Sequence, residues 1–184
     1  MGQVVVVDYD PNWPRVFATL RAPLVQELAE LAVAVEHVGS TSVPGLAAKP
    51  VIDIDVVVVE RDVPETVARL KTLGYEHLGD GGIPQREAFR RPPGSVVHHL
   101  YVCPSTSAAL ANHLVVRDHL RANPSDARAY GDLKKQLAID FADDVDGYVE
   151  AKTAFLLAIL RRHGFSSDLL REIERANRRP AESG

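Results

Sequence analysis

The chain has 184 residues, 46% hydrophobic and 25% charged, with a formal net charge of −4 at pH 7. That length suffices for one domain with a buried core, and the acidic balance argues against a protein that coats nucleic acid, leaving small molecules as the expected partners. A lone cysteine, Cys103, excludes an internal disulfide and a multi-cysteine zinc site.

The start, MGQVVVVDYDPNWP, lacks the basic and long apolar regions of a secretory signal, and Val6 stands where myristoylation needs Ser or Thr. No apolar run reaches the length of a membrane span, so a cytoplasmic protein is expected. Residues 4–7 read as a short buried strand and 8–12 as a turn, with Asp10 or Asn12 placed to cap a helix over 13–31. Residues 33–38 and 51–59 read as strands, joined by the segment GSTSVPGLAAKP. A helix over 66–73 ends at Gly74, and 75–77, 85–90 and 96–103 read as further strands. Four helices follow, over 107–122, 125–142, 145–163 and 166–178, with Pro124 in a first turn after Asn123. The expectation is one α/β (α+β) domain: a mixed β-sheet flanked by helices over 1–104, a helical part over 105–178 and a solvated tail at 179–184.

Residues 51–59, VIDIDVVVV, are β-branched and apolar apart from two aspartates, which is how a central strand buried on both faces reads. Alternation puts Asp53 and Asp55 on one face, their Cα atoms about 6.5–7 Å apart. Such a pair repels and loses hydration. Either a hard divalent cation, Mg²⁺ or Mn²⁺, takes the carboxylates together with substrate phosphates, or they lie at an exposed strand end and cap or pair with arginine. Upstream, Gly39 permits a sharp turn and close backbone approach. Ser40, Thr41 and Ser42 offer hydroxyls and N–H groups suited to phosphate oxygens, or else the segment is a plain connector. It is not a Walker A loop, because no Gly-Lys-Ser/Thr follows.

Gly39-Ser40, twelve intervening residues and Asp53-Ile54-Asp55 together resemble the nucleotidyltransferase superfamily signature. The likeness is nearer to one branch, the GrpB family, and runs along nearly the whole chain. It is carried by Tyr9-Asp10-Pro11-Asn12-Trp13-Pro14, by the stretch from His37 to Leu46, by Lys49-Pro50-Val51-Ile52-Asp53, by His99-Leu100-Tyr101-Val102, by Arg117-Asp118-His119-Leu120-Arg121 and by Tyr148-Val149-Glu150-Ala151-Lys152-Thr153. The resemblance implies a nucleotidyltransferase-like core and phosphate–metal chemistry, with no particular substrate. It also implies that the same domain occurs fused to dephospho-coenzyme A kinases.

Enzymes of the superfamily carry a third carboxylate on a later strand; here that strand, VVHHLYV, has none. His99 and Tyr101 share one of its faces, so His99 is expected to face the aspartates as base or ligand contact, or to be a hydrogen-bonded structural histidine. Glu87 is a second candidate for the lost acid. Arg86 and Arg90 offer guanidinium forks for phosphate, or are solvated edge charges. Lys134 and Lys152 fall on apolar helix stripes, where a lysine either reaches out to solvent or points into a polar cavity; Lys49 is a third such candidate. Cys103 reads as a buried small hydrophobe.

The expected site is therefore Asp53, Asp55 and His99 as catalytic groups, the two aspartates also holding the metal. His37, Gly39, Ser40, Thr41, Lys49, Arg86, Arg90, Tyr101, Lys134 and Lys152 are the candidates for binding the substrate. The substrate expected is a nucleoside triphosphate, ATP foremost, with a small-molecule acceptor. A non-catalytic nucleotide-binding or regulatory module of the same fold is the alternative.

Overall fold

The computed structural model describes residues 3–178; the tail at 179–184 and the Met-Gly start lie outside them. Five strands, β1 (Ala32–Val38), β2 (Ile52–Val58), β3 (Glu76–Gly79), β4 (Glu87–Arg90) and β5 (His98–Pro104), form one sheet in the order β1-β2-β5-β4-β3. β2 and β5 run parallel, and every other neighbouring pair is antiparallel. Among the described residues the α-helices are α1 (Trp13–Leu28), α2 (Val63–Thr72), α3 (Ala108–Ala122), α4 (Pro124–Asp140), α5 (Val145–Arg162) and α6 (Ser167–Ala176). None of these is long and apolar enough to cross a membrane.

Strand alternation divides the two faces of the sheet. Ile52, Ile54, Val56 and Val58 of β2, with Leu100 and Val102 of β5, pack against Leu24 and Leu28 of α1 and Leu70 of α2. Each fully buried leucine there contributes roughly 1.5–3 kcal/mol. The other face carries Asp53, Asp55 and Val57 of β2 and His99, Tyr101 and Cys103 of β5. α3 covers part of it, with Leu110 against Val57 and Cys103. Burial pushes the Cys103 thiol up to about 12, and the side chain serves as a small apolar filler.

The C-terminal helices pack on the connection between β1 and β2. Val43 and Leu46 of that connection share a core with Leu120, Ala127, Tyr130 and Ile159. Gly131 of α4 packs against Leu46 and Ala47 at ordinary van der Waals distances, so a Cβ would be accommodated there. This packing carries α4 and α5 to the acidic face of β2.

Several boundaries differ from the sequence expectation. Residues 4–7 make no strand: Val7 forms one bridge to Ala48, while Val4 packs with Leu137 and Tyr148 and donates its N–H to the Ala142 carbonyl at 2.7 Å. Its β-branched residues serve helix packing, which local propensity does not distinguish from sheet pairing. α2 begins at Val63 because Pro64 fits a first turn. Asn12 and Asn123 occupy N-cap positions without a side-chain capping bond.

His37 belongs to the apolar face. Its ring stacks on Phe17 with centroids 4.6 Å apart, and Nε2 hydrogen-bonds the Thr41 hydroxyl at 3.0 Å. Burial lowers its pKa from 6.5 to about 4, opposed by Asp53 and assisted by Arg121 and Arg117. The unfolded chain therefore takes up a proton that the folded chain refuses, and stability falls as pH drops from 6.5 towards 4. Denaturant unfolding is expected to show a loss of about 2 kcal/mol between pH 7 and about pH 4.5 from this group, and a smaller loss in His37→Gln.

Candidate functional site

The site starts from register. β2 and β5 place Asp53 beside His99 and Asp55 beside Tyr101, so all four side chains share a face. His99 Nδ1 lies 2.8 Å from Asp53 Oδ1. Asp55 is fully buried; its Oδ2 lies 2.8 Å from Nδ1 of His113, which descends from α3, while its Oδ1 is buried with no hydrogen-bond partner. Burial alone would lower the His113 pKa, but the hydrogen bond and charge of Asp55 outweigh it and the net direction is upward.

Gly39 follows β1 with φ 69° and ψ −173°, a region open essentially to glycine alone. A Cβ there would lie 2.2 Å from Asp53 Oδ2, so the backbone rests directly on that carboxylate. The turn Ser40–Ser42 follows. Lys134 of α4, nearly fully buried, donates to Ser40 Oγ at 2.8 Å and lies 4.5 Å from the centre of the Tyr130 ring. Lys152 of α5 and Lys49 both lie over the Tyr148 ring, at 5.2 and 5.9 Å. Burial, then the neighbouring Lys152, bring Lys134 down to about 6 against the pull of Asp53. Lys152 is lowered too, by burial and by Lys49, again opposed by Asp53. Burial thus holds Lys134 and Lys152 back from full protonation, and Asp53 is the acid that favours their charged form.

A cleft of about 240 Å³ is lined by Gly39, Ser40, Asp53, Tyr101, His113, Arg117 and Lys152, among others, with Asp55 buried behind His113 and Lys134 behind Ser40. Its polar lining combines the Asp53 carboxylate, with the Gly39 turn packed against it, and the basic groups of Arg117 and Lys152 with Ser40. A phosphate chain needs both.

The family model described as GrpB protein matches residues 3–162, which leaves α6 outside the match. The chain belongs to the GrpB family. It is similar to the GrpB crystal structure from Enterococcus faecalis, with 37% identity and a TM-score of 0.77 over 91% of this chain and 98% of that one. It is 33% identical to YqkA of Bacillus subtilis over 84% of this chain, and spans 45% of that relative's length. It is 31% identical to a dephospho-CoA kinase of Mycolicibacterium paratuberculosis over 86% of this chain and 46% of that protein.

In this GrpB chain the expected residues do not all converge. His37 lies on the opposite face of the sheet, and Thr41 is buried, its hydroxyl hydrogen-bonding the Val51 carbonyl at 3.2 Å; both brace the turn beneath the cleft. Arg90 pairs with Glu76 at an exposed edge, 2.5 Å apart. Glu87 faces the α1–α2 side and meets His77 at 2.6 Å, because β4 pairs Ala88, not Glu87, with Tyr101. Arg86 shares the acidic face but opens into a second cavity.

Three residues of the site were not anticipated. Glu36 stands opposite Asp55 in the β1–β2 register, a third carboxylate on this face, held by Arg117 at 2.7 Å. His113 and Arg117 lie four apart on the side of α3 that also carries Leu110 and Leu114. Titratable groups on the apolar side of a helix were the available signal.

Proposed function

We propose that this cleft binds a nucleoside triphosphate, with Asp53 and Asp55 holding a divalent cation, and transfers the nucleotidyl group to a small-molecule acceptor in the cytoplasm. The observation that supports the reading most is the buried, partnerless Oδ1 of Asp55, two residues from Asp53 on the same face of β2. A buried carboxylate oxygen without a donor is costly and calls for a cation.

The donor set fits Mg²⁺. Among the described residues no three His, Cys, Asp or Glu side chains converge as a ready cage, which suits an ion that takes one or two carboxylates and completes its shell with phosphates and water. When bound, the ion supplies charge neutralisation and alignment of the phosphates. The protein's own groups do the rest: Lys134, Lys152 and the Ser40 hydroxyl hold the terminal phosphates, and Gly39 lets the turn that carries Ser40 pack directly against Asp53. The acceptor's oxygen or nitrogen bonds to the α-phosphorus as the bond to the bridging oxygen breaks, and pyrophosphate leaves. With a hydroxyl acceptor, His99, its Nδ1 turned to Asp53, takes the proton at Nε2. A carboxylate acceptor would give an acyl-adenylate with no proton to remove.

A nucleotide-binding module without turnover is the second reading. What favours it is that neither remaining carboxylate is free, Glu36 being engaged by Arg117 and Glu87 lying on the far face.

Thermal shift with ATP, GTP, CTP and UTP, each with Mg²⁺ and with chelator, tests binding. Metal-dependent stabilisation by at least one nucleotide is expected, and none with any would refute the reading. Pyrophosphate release with candidate acceptors separates enzyme from module. The lysines give a further expectation. A bound polyphosphate raises the lowered pKa of Lys134, so binding near pH 8 takes up as much as about one proton from solution at that residue. Calorimetry in Tris and in HEPES should then give different heats, a difference reduced in Lys134→Met; equal heats in wild type would contradict the lysine assignment.

A further inference from the structure

A second cavity, of about 670 Å³, lies beyond the site between the β3–β4 loop, the start of α3 and α6. That volume suits a small organic ligand. Asn112 and His113 line both this cavity and the cleft, so the two spaces meet across those side chains. One wall is apolar, with Ile83 and Pro84 on the loop and Leu169 and Ile173 on α6.

The polar feature is Arg86. Its guanidinium stacks over the Tyr101 ring, 4.5 Å from the centroid, and its Nε is buried without a hydrogen-bond partner. A buried guanidinium N–H without an acceptor carries a desolvation cost. The residue before it, Gln85, is held at φ 57°, a conformation non-glycine side chains rarely adopt. That strained turn carries the chain into β4 with Arg86 on the acidic face, stacked on Tyr101. A guanidinium with an unpartnered N–H, lining a cavity whose other side carries Leu169 and Ile173 along with Glu172 and Arg175, is matched by a ligand with one carboxylate and an apolar body.

We propose that this cavity is the acceptor site, and that it takes a small organic monocarboxylate whose carboxylate lies on Arg86 and whose body lies against Ile173 of α6. The proposal rests on the nucleotidyl-transfer reading only for the word acceptor; the binding itself stands apart from it. α6 closes the cavity, so the selectivity of this chain is set by a helix outside the family-matched region.

The test is NMR titration of the full ¹⁵N-labelled chain with acetate, butyrate and 3-phenylpropionate, and with 3-phenylpropionamide as the uncharged control. Saturable shifts at Arg86, Asn112 and Ile173 are expected, strongest for 3-phenylpropionate and absent for the amide. Arg86→Gln should weaken binding by about tenfold or more. Ala176→Phe, at an exposed α6 residue that lines the cavity, should block it while leaving the thermal shift with Mg²⁺ and nucleotide unchanged. Equal binding of acid and amide, indifference to Arg86→Gln, or no saturable shift with any carboxylate would overturn the proposal. Carboxylate binding in a protein that answers to no nucleotide would leave this site standing and sink the nucleotide reading instead.

Discussion

Replacing Asp55 by asparagine is expected to raise the unfolding temperature of the ligand-free protein and to abolish its stabilisation by magnesium and nucleotide. Asp55 is completely buried, and one of its oxygens has no partner. A charge in that position costs folding free energy, an amide of the same shape can still accept from His113, and His113, no longer held upward by the Asp55 charge, can fold as the neutral imidazole. A gain of about 1 kcal/mol corresponds to roughly 2–4 °C for a chain of this size. Ligand stabilisation, about 2.7 kcal/mol when nucleotide is present at a hundred times its dissociation constant, should vanish in the same variant. Opposite movements of the two quantities mark a residue kept for binding at the expense of stability. A structural aspartate would behave otherwise: its removal would lower the melting temperature, and any nucleotide response would persist. Differential scanning fluorimetry of both proteins, with and without Mg²⁺ and nucleotide, reads both outcomes together.

Gly39→Ala is expected to damage both folding and binding. The added Cβ would lie 2.2 Å from Asp53 Oδ2, so either the carboxylate or the turn Ser40–Ser42 must move. The backbone at φ 69° and ψ −173° adds about 1–3 kcal/mol for any residue with a Cβ. Displacing Asp53 also disturbs its hydrogen bond to His99. Denaturant unfolding should show a loss of at least about 1–3 kcal/mol, and the nucleotide-dependent thermal shift should disappear. Gly131→Ala is the control, because its Cβ meets only ordinary contacts, the nearest at 3.5 Å from Leu46.

The parts of this account legible in the sequence were those with a short period. Alternation in VIDIDVVVV placed both aspartates on one face, and alternation in VVHHLYV placed His99 with Tyr101; the parallel register then set each beside its partner. Gly39 was legible as a turn, though the contact that makes it irreplaceable spans the strands. What could not be read depends on longer-range packing. His113 and Arg117 arrive across the sheet on α3, and nothing local says which strand residue they meet. Glu36 and His37 are neighbours on β1, yet alternation sends Glu36 to the acids and His37 to Phe17; grouping His37 with the turn after it hid that parity. The side taken by Glu87 was fixed by the β4–β5 register, which depends on how a loop of glycines between β3 and β4 closes. Segment 4–7 looked like a strand because valines suit pleated surfaces, and helices bury them equally well.

The charge-compensating ion is the point on which the interpretation turns. Titrating the full chain with Mn²⁺ in the presence of a non-hydrolysable ATP analogue, with free Mn²⁺ followed by electron paramagnetic resonance, measures it directly. One nucleotide-dependent Mn²⁺ per chain, lost in Asp55→Asn, is the predicted result; Mn²⁺ uptake that is the same in both proteins, or absent from both, would contradict it.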